Sequence, residues 1–371
     1  MPLYLNDDQA MLRDTARGFI AGEGAISKQL RHWRDTQCAD GFGHALWQQF
    51  AEMGFNGILI DEADGGLGLG HVEAGIVLEE IGRNLTPSPF LVSAVAFVAA
   101  LKGTAQRARW YPGIISGETV AALAIDEGPK HRPEGVAMRA ERSGNGFSLS
   151  GRKQFVVQGA SADVTLVAAN TDEGLTLFAV ERGAKGLAVE GVRLADSSIG
   201  ARMTFESVEV DADAVVGEVG GGEAVLSRAL NAGRAGAAAE LVGVGVAAMD
   251  MTVDYLKQRK QFGRLIGEFQ ALQFRAAHLY SELEIARAAT LKAQQLLDEG
   301  SPEAEGMVSV AKAKAGRAAQ LACQEGVQMH GGIGMTDEYD IGLYMKRDRV
   351  LNELFGDPAY HADKLARMKG Y

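Results

Sequence analysis

The strongest constraint on the fold is a change in hydrophobic periodicity that divides the chain into three parts. Apolar residues recur at helical spacing from the first segment, 6–20, up to about residue 118. From Thr119 the chain shows short runs rich in β-branched and aromatic residues, with a hairpin turn signal at Gly144-Asn145-Gly146. Long helical patterns return after Gly222. This order, in which helices are followed by strands and then by long helices with short joints, is uncommon.

This order predicts an α+β multidomain protein. We expect an N-terminal helical domain over 1–118, a central antiparallel β domain over 119–222 and a C-terminal four-helix bundle over 223–371. The length of 371 residues supports several domains, because it exceeds what one hydrophobic core usually serves.

Charge and cysteine content argue against several classes of protein. The formal net charge of −11, without a long basic run, disfavours a nucleic-acid partner. Cys38 and Cys323 are too few for a disulfide framework, which fits a reducing, cytoplasmic location. No signal-like segment opens the chain, and the apolar stretch 235–249 is slightly too short to span a bilayer, so we expect neither export nor a membrane anchor. The 7 histidines are scattered, and we expect no metal site.

Two glycine-rich stretches do not meet the requirements of nucleotide-binding motifs. Residues 243–248 match a loose GxGxxA, but they lie inside a helical run with no strand before it, which indicates close helix packing. Residues 65–70 lack the Lys-Ser/Thr that completes a phosphate-binding loop, which favours a loop that uses positive φ angles.

Glu240 is the one ionisable residue between Arg234 and Asp250, within an otherwise small and apolar helix. A buried carboxylate has its pKa raised by desolvation, which would suit a general base near neutral pH. The alternative is a buried glutamate paired with an arginine or lysine of a neighbouring helix. The residues alone leave both interpretations open.

Several motifs, in one order along essentially the whole chain, resemble the flavin-dependent acyl-CoA dehydrogenases. They are Asp61–Gly70, Leu78–Arg83, Trp110–Glu118, Gly151–Phe155, Gly159–Asp163, Arg259–Gly263, Phe269-Gln270 and Gln328–Gly334. The resemblance implies the family's fold, with a helical domain, a β domain and a four-helix bundle, and a dimer or dimer of dimers. It also implies the family's reaction, in which a base removes the α proton of an acyl-CoA and the β hydrogen passes to FAD as hydride, leaving a trans-2-enoyl-CoA. Electrons would then pass to an electron-transfer flavoprotein or a similar acceptor, in fatty acid or lipid degradation.

The resemblance also assigns cofactor-binding residues. Phe155 would lie against the flavin ring where relatives have Trp, and Val157 occupies the position of a hydroxyl residue that bonds the flavin edge. The residues expected to hold the adenosine diphosphate half of an FAD seated mainly in a neighbouring subunit are Arg259, Phe262, Gln270, Gln328, Gly331 and Gly332.

The chain departs from the family pattern where relatives carry the catalytic base. Counting from Glu338-Tyr339, the usual base position falls on Phe355, and the alternative base position of some relatives falls on Gly233, just before Arg234. The T-E-P loop of relatives is replaced by Asp126-Glu127-Gly128-Pro129. Arg234 and Phe355 are therefore expected to line the acyl-CoA site without supplying a base.

Two hypotheses follow. In the first, Glu240 is the catalytic base, because it lies two helical turns beyond Gly233 on the same face and could reach a bulky or branched acyl group. In the second, the chain is a non-catalytic or half-site partner subunit of a heteromeric acyl-CoA dehydrogenase, with a degenerate site of its own. An acyl-CoA oxidase that uses oxygen directly is a third, weaker interpretation.

Overall fold

A computed structural model describes residues 3–371. The chain forms two compact units, each made of separate segments. One contains the N-terminal segment up to Lys28, then His71–Thr86 and Arg234–Tyr371; the other contains Gln29–Gly70 and Pro87–Gly233. These units cut across the expected boundaries at residues 118 and 222, and the three-domain division stays a prediction.

Eleven α-helices occur within residues 3–371, and a π-helical segment, Leu91–Phe97, precedes the fifth. They are α1 Asp7–Glu23, α2 Leu30–Asp35, α3 His44–Glu52, α4 His71–Asn84, α5 Val98–Leu101, α6 Arg107–Ser116, α7 Gly222–Gln258, α8 Gln270–Asp298, α9 Ala304–His330, α10 Ile341–Glu353 and α11 Pro358–Met368.

The strand-rich block forms one large sheet. Its strands are β1 Ala121–Ala124, β2 Arg139–Ser143, β3 Gly146–Val157, β4 Val164–Thr171, β5 Gly174–Glu181, β6 Leu187–Arg193, β7 Ile199–Val210 and β8 Val215–Val216. The strand order is β6-β7-β3-β2-β4-β5-β8, and β1 pairs with β4. The expected α+β architecture is confirmed, but the sheet is mixed rather than antiparallel, because β4 pairs in parallel with both β1 and β2. A buried apolar core, which includes Phe147, Phe178 and Phe205, covers this sheet.

The predicted hairpin between β2 and β3 is present. Ser143 pairs with Gly146, so the turn has two central residues, and Gly144 has φ +56°. A glycine with positive φ at the first central position is what a type II′ turn requires.

Helix α7 contains the apolar stretch 235–249 and extends beyond it at both ends. Among the described residues it is the one helix long and apolar enough to cross a membrane by length and composition. However, 72% of its most apolar 18-residue window is buried inside the protein, which is the environment of a core helix. Its packing against α4 is close, because a Cβ atom at Gly82 would lie 2.1 Å from the Glu240 carbonyl oxygen.

Candidate functional site

The turn between α10 and α11 carries Phe355, the residue at the family's usual base position. Phe355 is buried, and both Phe355 and Gly356 have positive φ, +60° and +107°. The Arg234 guanidinium donates from Nε to the Phe355 carbonyl oxygen at 3.1 Å and from Nη2 to the Tyr360 hydroxyl at 3.1 Å. The structure therefore brings the predicted pair Arg234 and Phe355 together, and no carboxylate stands at position 355.

Lys312 supports the same turn and was missed in the sequence. Its fully buried Nζ donates to the carbonyl oxygens of Leu351, Asn352 and Gly356 at 2.9, 3.2 and 3.1 Å. Burial, helped by the charge of Arg234, lowers the pKa of Lys312 to about 7. The signal available in the sequence was a lysine among the alanines of a helix. A fully buried lysine almost always has polar partners, so a lysine in such surroundings indicates nearby carbonyl or carboxylate groups.

Asp348 lies on α10 near this lysine. It is buried, and its carboxylate accepts a hydrogen bond from the Asn352 side chain at 2.7 Å. Burial raises the pKa of Asp348 to about 7, although the charge of Lys312 opposes the shift. The turn at Phe355 is thus held from the bundle side by the buried Lys312, and Asp348 is a buried carboxylate on the helix that precedes the turn.

Glu240 forms an ion pair with Arg347 of α10. Its Oε1 accepts from Arg347 Nε at 2.8 Å and from Nη2 at 2.6 Å. The Glu240 side chain is 1% exposed and that of Arg347 is 19% exposed. This contact is the one expected from the ion-pair interpretation, and such a partner favours the charged, weakly basic carboxylate. The catalytic role of Glu240 stays a prediction.

Arg259 directly follows the end of α7, and Phe262 lies three residues further along the chain. The chain leaves this helix into a small hairpin, β9 Lys260–Gln261 and β10 Arg264–Leu265. Phe262, at its tip, has φ +51° and is 91% exposed. Arg259 is exposed and forms no salt bridge with any carboxylate within residues 3–371. Both a cation and an aromatic ring are thus available to another molecule.

The segment after α9 offers an open backbone turn. Gly331 has φ +65° and ψ −139°, a conformation reserved for glycine, and a Cβ at Gly331 or Gly332 would meet nothing within 4 Å. The rings of Tyr255 on α7 and His330 on α9 stack with centroids 4.5 Å apart, which brings the two helix ends together.

These residues fit the pyrophosphate half of FAD. Arg259, which has no salt-bridge partner within residues 3–371, can supply charge-assisted hydrogen bonds, and an unobstructed Gly-Gly turn allows close approach to the backbone. Gln328 and Gln270 are exposed amides at the last turn of α9 and the first residue of α8, respectively.

Phe155 and Val157 lie at the end of β3, in the unit that contains the sheet. The register of β3 shifts between Lys153 and Val156, and Phe155 within the shift has φ +54°. Strained backbone of this kind persists when surrounding contacts hold it. Phe155 is half-buried and presents a flat apolar ring, but Val157 is buried and has no hydroxyl to donate to a flavin edge.

The Asp126–Pro129 loop is fixed next to this strand. Lys153 Nζ, which is fully buried, donates to the Ile125 carbonyl at 3.0 Å and to Glu127 Oε1 at 2.7 Å. Burial lowers the pKa of Lys153. Burial alone would raise the pKa of Glu127, but the hydrogen bond and charge of Lys153 and the backbone hydrogen bonds from Met138 and Ala137 together outweigh it, so the pKa of Glu127 is lowered. The hydrogen bonds of Lys153 thus tie the loop to β3. Within residues 3–371 no group of three or more His, Cys, Asp or Glu residues could hold a metal ion.

Comparison with known proteins agrees with this geometry. The family models for the acyl-CoA dehydrogenase N-terminal and C-terminal domains match residues 6–118 and 220–369. Mitochondrial isovaleryl-CoA dehydrogenase of Oryza sativa subsp. japonica is 32% identical over 95% of this chain and 88% of its own. Cyclohex-1-ene-1-carbonyl-CoA dehydrogenase of Geobacter metallireducens is 32% identical over 82% of this chain and 84% of its own. A solved structure, the Tcur3481-Tcur3483 steroid ACAD, superposes with a TM-score of 0.90 at 28% identity, over 98% of both chains.

The fold and the site define a flavin-dependent oxidoreductase acting on CH–CH donors. The chain belongs to the acyl-CoA dehydrogenase family. Its reaction is the dehydrogenation of an acyl-CoA, and its cofactor is FAD. The family, fold class and cofactor expected from the sequence are thereby confirmed, while the roles of individual site residues stay predictions.

Proposed function

We propose that this chain carries out acyl-CoA dehydrogenation as one subunit of a heteromeric enzyme. It would lend Arg259, Phe262 and the Gln328 segment to an FAD seated mainly on a second, homologous subunit that carries the catalytic base. One observation carries the proposal: neither Phe355 nor Gly233 is a carboxylate, and the remaining candidate base, Glu240, is committed to Arg347.

The residues of this chain have defined tasks in such an assembly. Arg259 binds the pyrophosphate of FAD, and the Gly331–Gly332 turn lets the cofactor approach the backbone. When bound, FAD accepts the β hydrogen of the acyl-CoA as hydride. Phe355 and Arg234 close this chain's own base position with an apolar side chain and a buried, fully engaged cation. The structurally similar steroid ACAD is named as a pair, Tcur3481-Tcur3483. That name supports an enzyme made from two different chains.

The second candidate is a homomeric enzyme in which Glu240 is the base. It is favoured by the position of Glu240, which is 1% exposed and the only charge along residues 235–249. In that case substrate binding must move Arg347 away, since a carboxylate bonded twice to a guanidinium is a poor proton acceptor.

Flavin stoichiometry of the purified chain distinguishes the two. For the heteromer we expect little FAD retained by the chain alone and no bleaching of flavin absorbance by isovaleryl-CoA under anaerobic conditions. Co-production with a homologous chain that has a glutamate at the position matching Phe355 should yield one FAD per pair. One FAD per chain, with substrate-dependent bleaching by the chain alone, would refute the proposal.

Arg259→Ala should then lower the FAD content of the pair, because a guanidinium–phosphate contact contributes about 1.5–3 kcal/mol. Arg264→Ala is the matched control: Arg264 is an exposed cation of the same hairpin, but its guanidinium lies 4.2 Å from the Phe269 ring centroid. Equal FAD loss in both variants would indicate a general charge effect rather than a specific site.

The finer assignments belong to the same proposal. A bulky or branched acyl-CoA is supported by the branched-chain, cyclic and steroid relatives. We further propose an electron-transfer flavoprotein or similar acceptor, a role in lipid degradation, a dimer or dimer of dimers, and a cytoplasmic location. A homo-oligomer is expected only if Glu240 is the base.

A further inference from the structure

We infer that His330 is a positioning residue that keeps Arg259 and the Gly331–Gly332 turn at a fixed separation, so that retention of FAD depends on the ring of His330. This inference rests on the proposed role of these segments as an FAD half-site. The resemblance to the family gives His330 no role of its own.

Three rings form one cluster where α7, α9 and the start of α10 meet. His330 stacks on Tyr255 with a centroid distance of 4.5 Å and an interplanar angle of 30°, and it lies 4.7 Å from the Tyr339 ring at 49°. Tyr255 and Tyr339 are 6.3 Å apart, edge to face. Aromatic pairs at these distances attract each other beyond simple area burial, which makes the cluster a stable joint.

Each end of the half-site is attached directly to this cluster. The Arg259 amide donates to the Tyr255 carbonyl at 2.9 Å, so Arg259 follows Tyr255 by one helical turn. On the other side, His330 is the last residue of α9 and is followed at once by Gly331. A shift in the Tyr255–His330 stack therefore moves the arginine relative to the glycine turn.

The polar atoms of His330 do not reach outward. Nδ1 donates to the Gly326 carbonyl at 2.7 Å, since a carbonyl can only accept, and this bond fixes the tautomer with a bare Nε2. Nε2 is buried and has no hydrogen-bond partner within residues 3–371. His330 is only 3% exposed. It therefore acts through Tyr255 and the chain that follows it rather than by touching the cofactor.

The test is a double-mutant cycle on the assembled holoenzyme, read as the rate of FAD release after dilution. His330→Leu removes the ring and should speed release by roughly two- to tenfold, the loss of one aromatic contact. His330→Phe keeps the ring and should restore slow release. Combined with Arg259→Ala, His330→Leu should add little, because it acts through Arg259 and the two effects are not additive.

Val308→Ala is the matched control, a buried truncation on the same helix, far in sequence from the half-site. The inference fails if His330→Leu changes release no more than Val308→Ala, if His330→Phe does not rescue, or if the two effects add fully. It also fails, together with the proposed half-site, if Arg259→Ala leaves release unchanged. An effect of Arg259→Ala without an effect of His330→Leu overturns only the role of His330.

Discussion

Replacing Glu240 by glutamine separates the two roles that this carboxylate could have. The substitution keeps the shape and one oxygen acceptor but leaves the Arg347 guanidinium without its counter-charge. Breaking a buried pair from one side costs about 3–5 kcal/mol. Because Arg347 is 19% exposed and keeps an amide oxygen as acceptor, we expect a smaller cost than that range, about 2–3 kcal/mol.

The double variant Glu240→Gln/Arg347→Met provides the control, because it leaves no unpaired cation. Its stability should return to within about 1 kcal/mol of the wild type, as replacement of whole buried ion pairs often does. Urea unfolding followed by circular dichroism gives the free energies, and the flavin content of each protein is measured in parallel.

The catalytic role predicts the opposite result. If Glu240 is the base, Glu240→Gln should lower substrate-dependent flavin bleaching by about 10²–10⁴-fold. Unchanged stability together with that loss would refute the ion-pair argument and support a homomeric enzyme. A stability loss with unchanged bleaching in the assembled enzyme would exclude Glu240 as the base.

Two further predictions concern the helical bundle. Burial raises the pKa of Asp348 to about 7, so the folded state holds a proton that the unfolded chain releases near pH 4. This group's contribution to stability is therefore greatest at acid pH and declines between about pH 4 and 7, by at most about 1.4 kcal/mol per pH unit. Asp348→Asn should abolish that decline in unfolding midpoints measured across the range, and an unchanged slope would contradict the assignment. Gly243→Ala should destabilise by about 1–3 kcal/mol, because its Cβ would lie 2.0 Å from the Glu79 carbonyl oxygen. Gly18→Ala, where nothing lies within 4 Å, is the control, and equal midpoints for the two variants would show that α4 and α7 separate easily.

The long helices and the order of the three structural blocks were predictable because their apolar spacing is local. Long helices were expected after Gly222, and α7 begins at Gly222. Strand β6 was not predicted, since it lies at a sheet edge, is largely exposed and shows no clear alternation of apolar residues. The parallel pairing of β1 with β4 could not be predicted either, because the paired residues Ala121 and Val164 are 43 positions apart and no local pattern specifies their pairing.

In the candidate site, the sequence identified the motif residues but could not identify the residues that they contact. Glu240 and Arg347 are 107 positions apart, and only the folded bundle shows that the arginine, rather than solvent or substrate, faces the carboxylate. Lys312 and the turn at Gly356 are separated by 44 positions. Such pairings depend on which helix faces which, and a periodicity argument carries no information on that choice.

The division of the chain into interleaved segments has a consequence for its synthesis. Helices α1 and α4 belong to the same compact unit as the chain beyond Arg234, although residues 29–70 and 87–233 fold into the other unit. During translation α1 can pack against α4 as soon as α4 has emerged, but the rest of the apolar surface of α4 must wait until residues 85–233 have been made and the chain beyond Arg234 begins to emerge. A fragment cut at the end of the β-rich block would leave that surface uncovered, and the isolated C-terminal helices would lack the surface that α4 provides. Separate expression of the blocks is therefore expected to yield aggregation-prone pieces, and this protein is best produced as an uninterrupted chain.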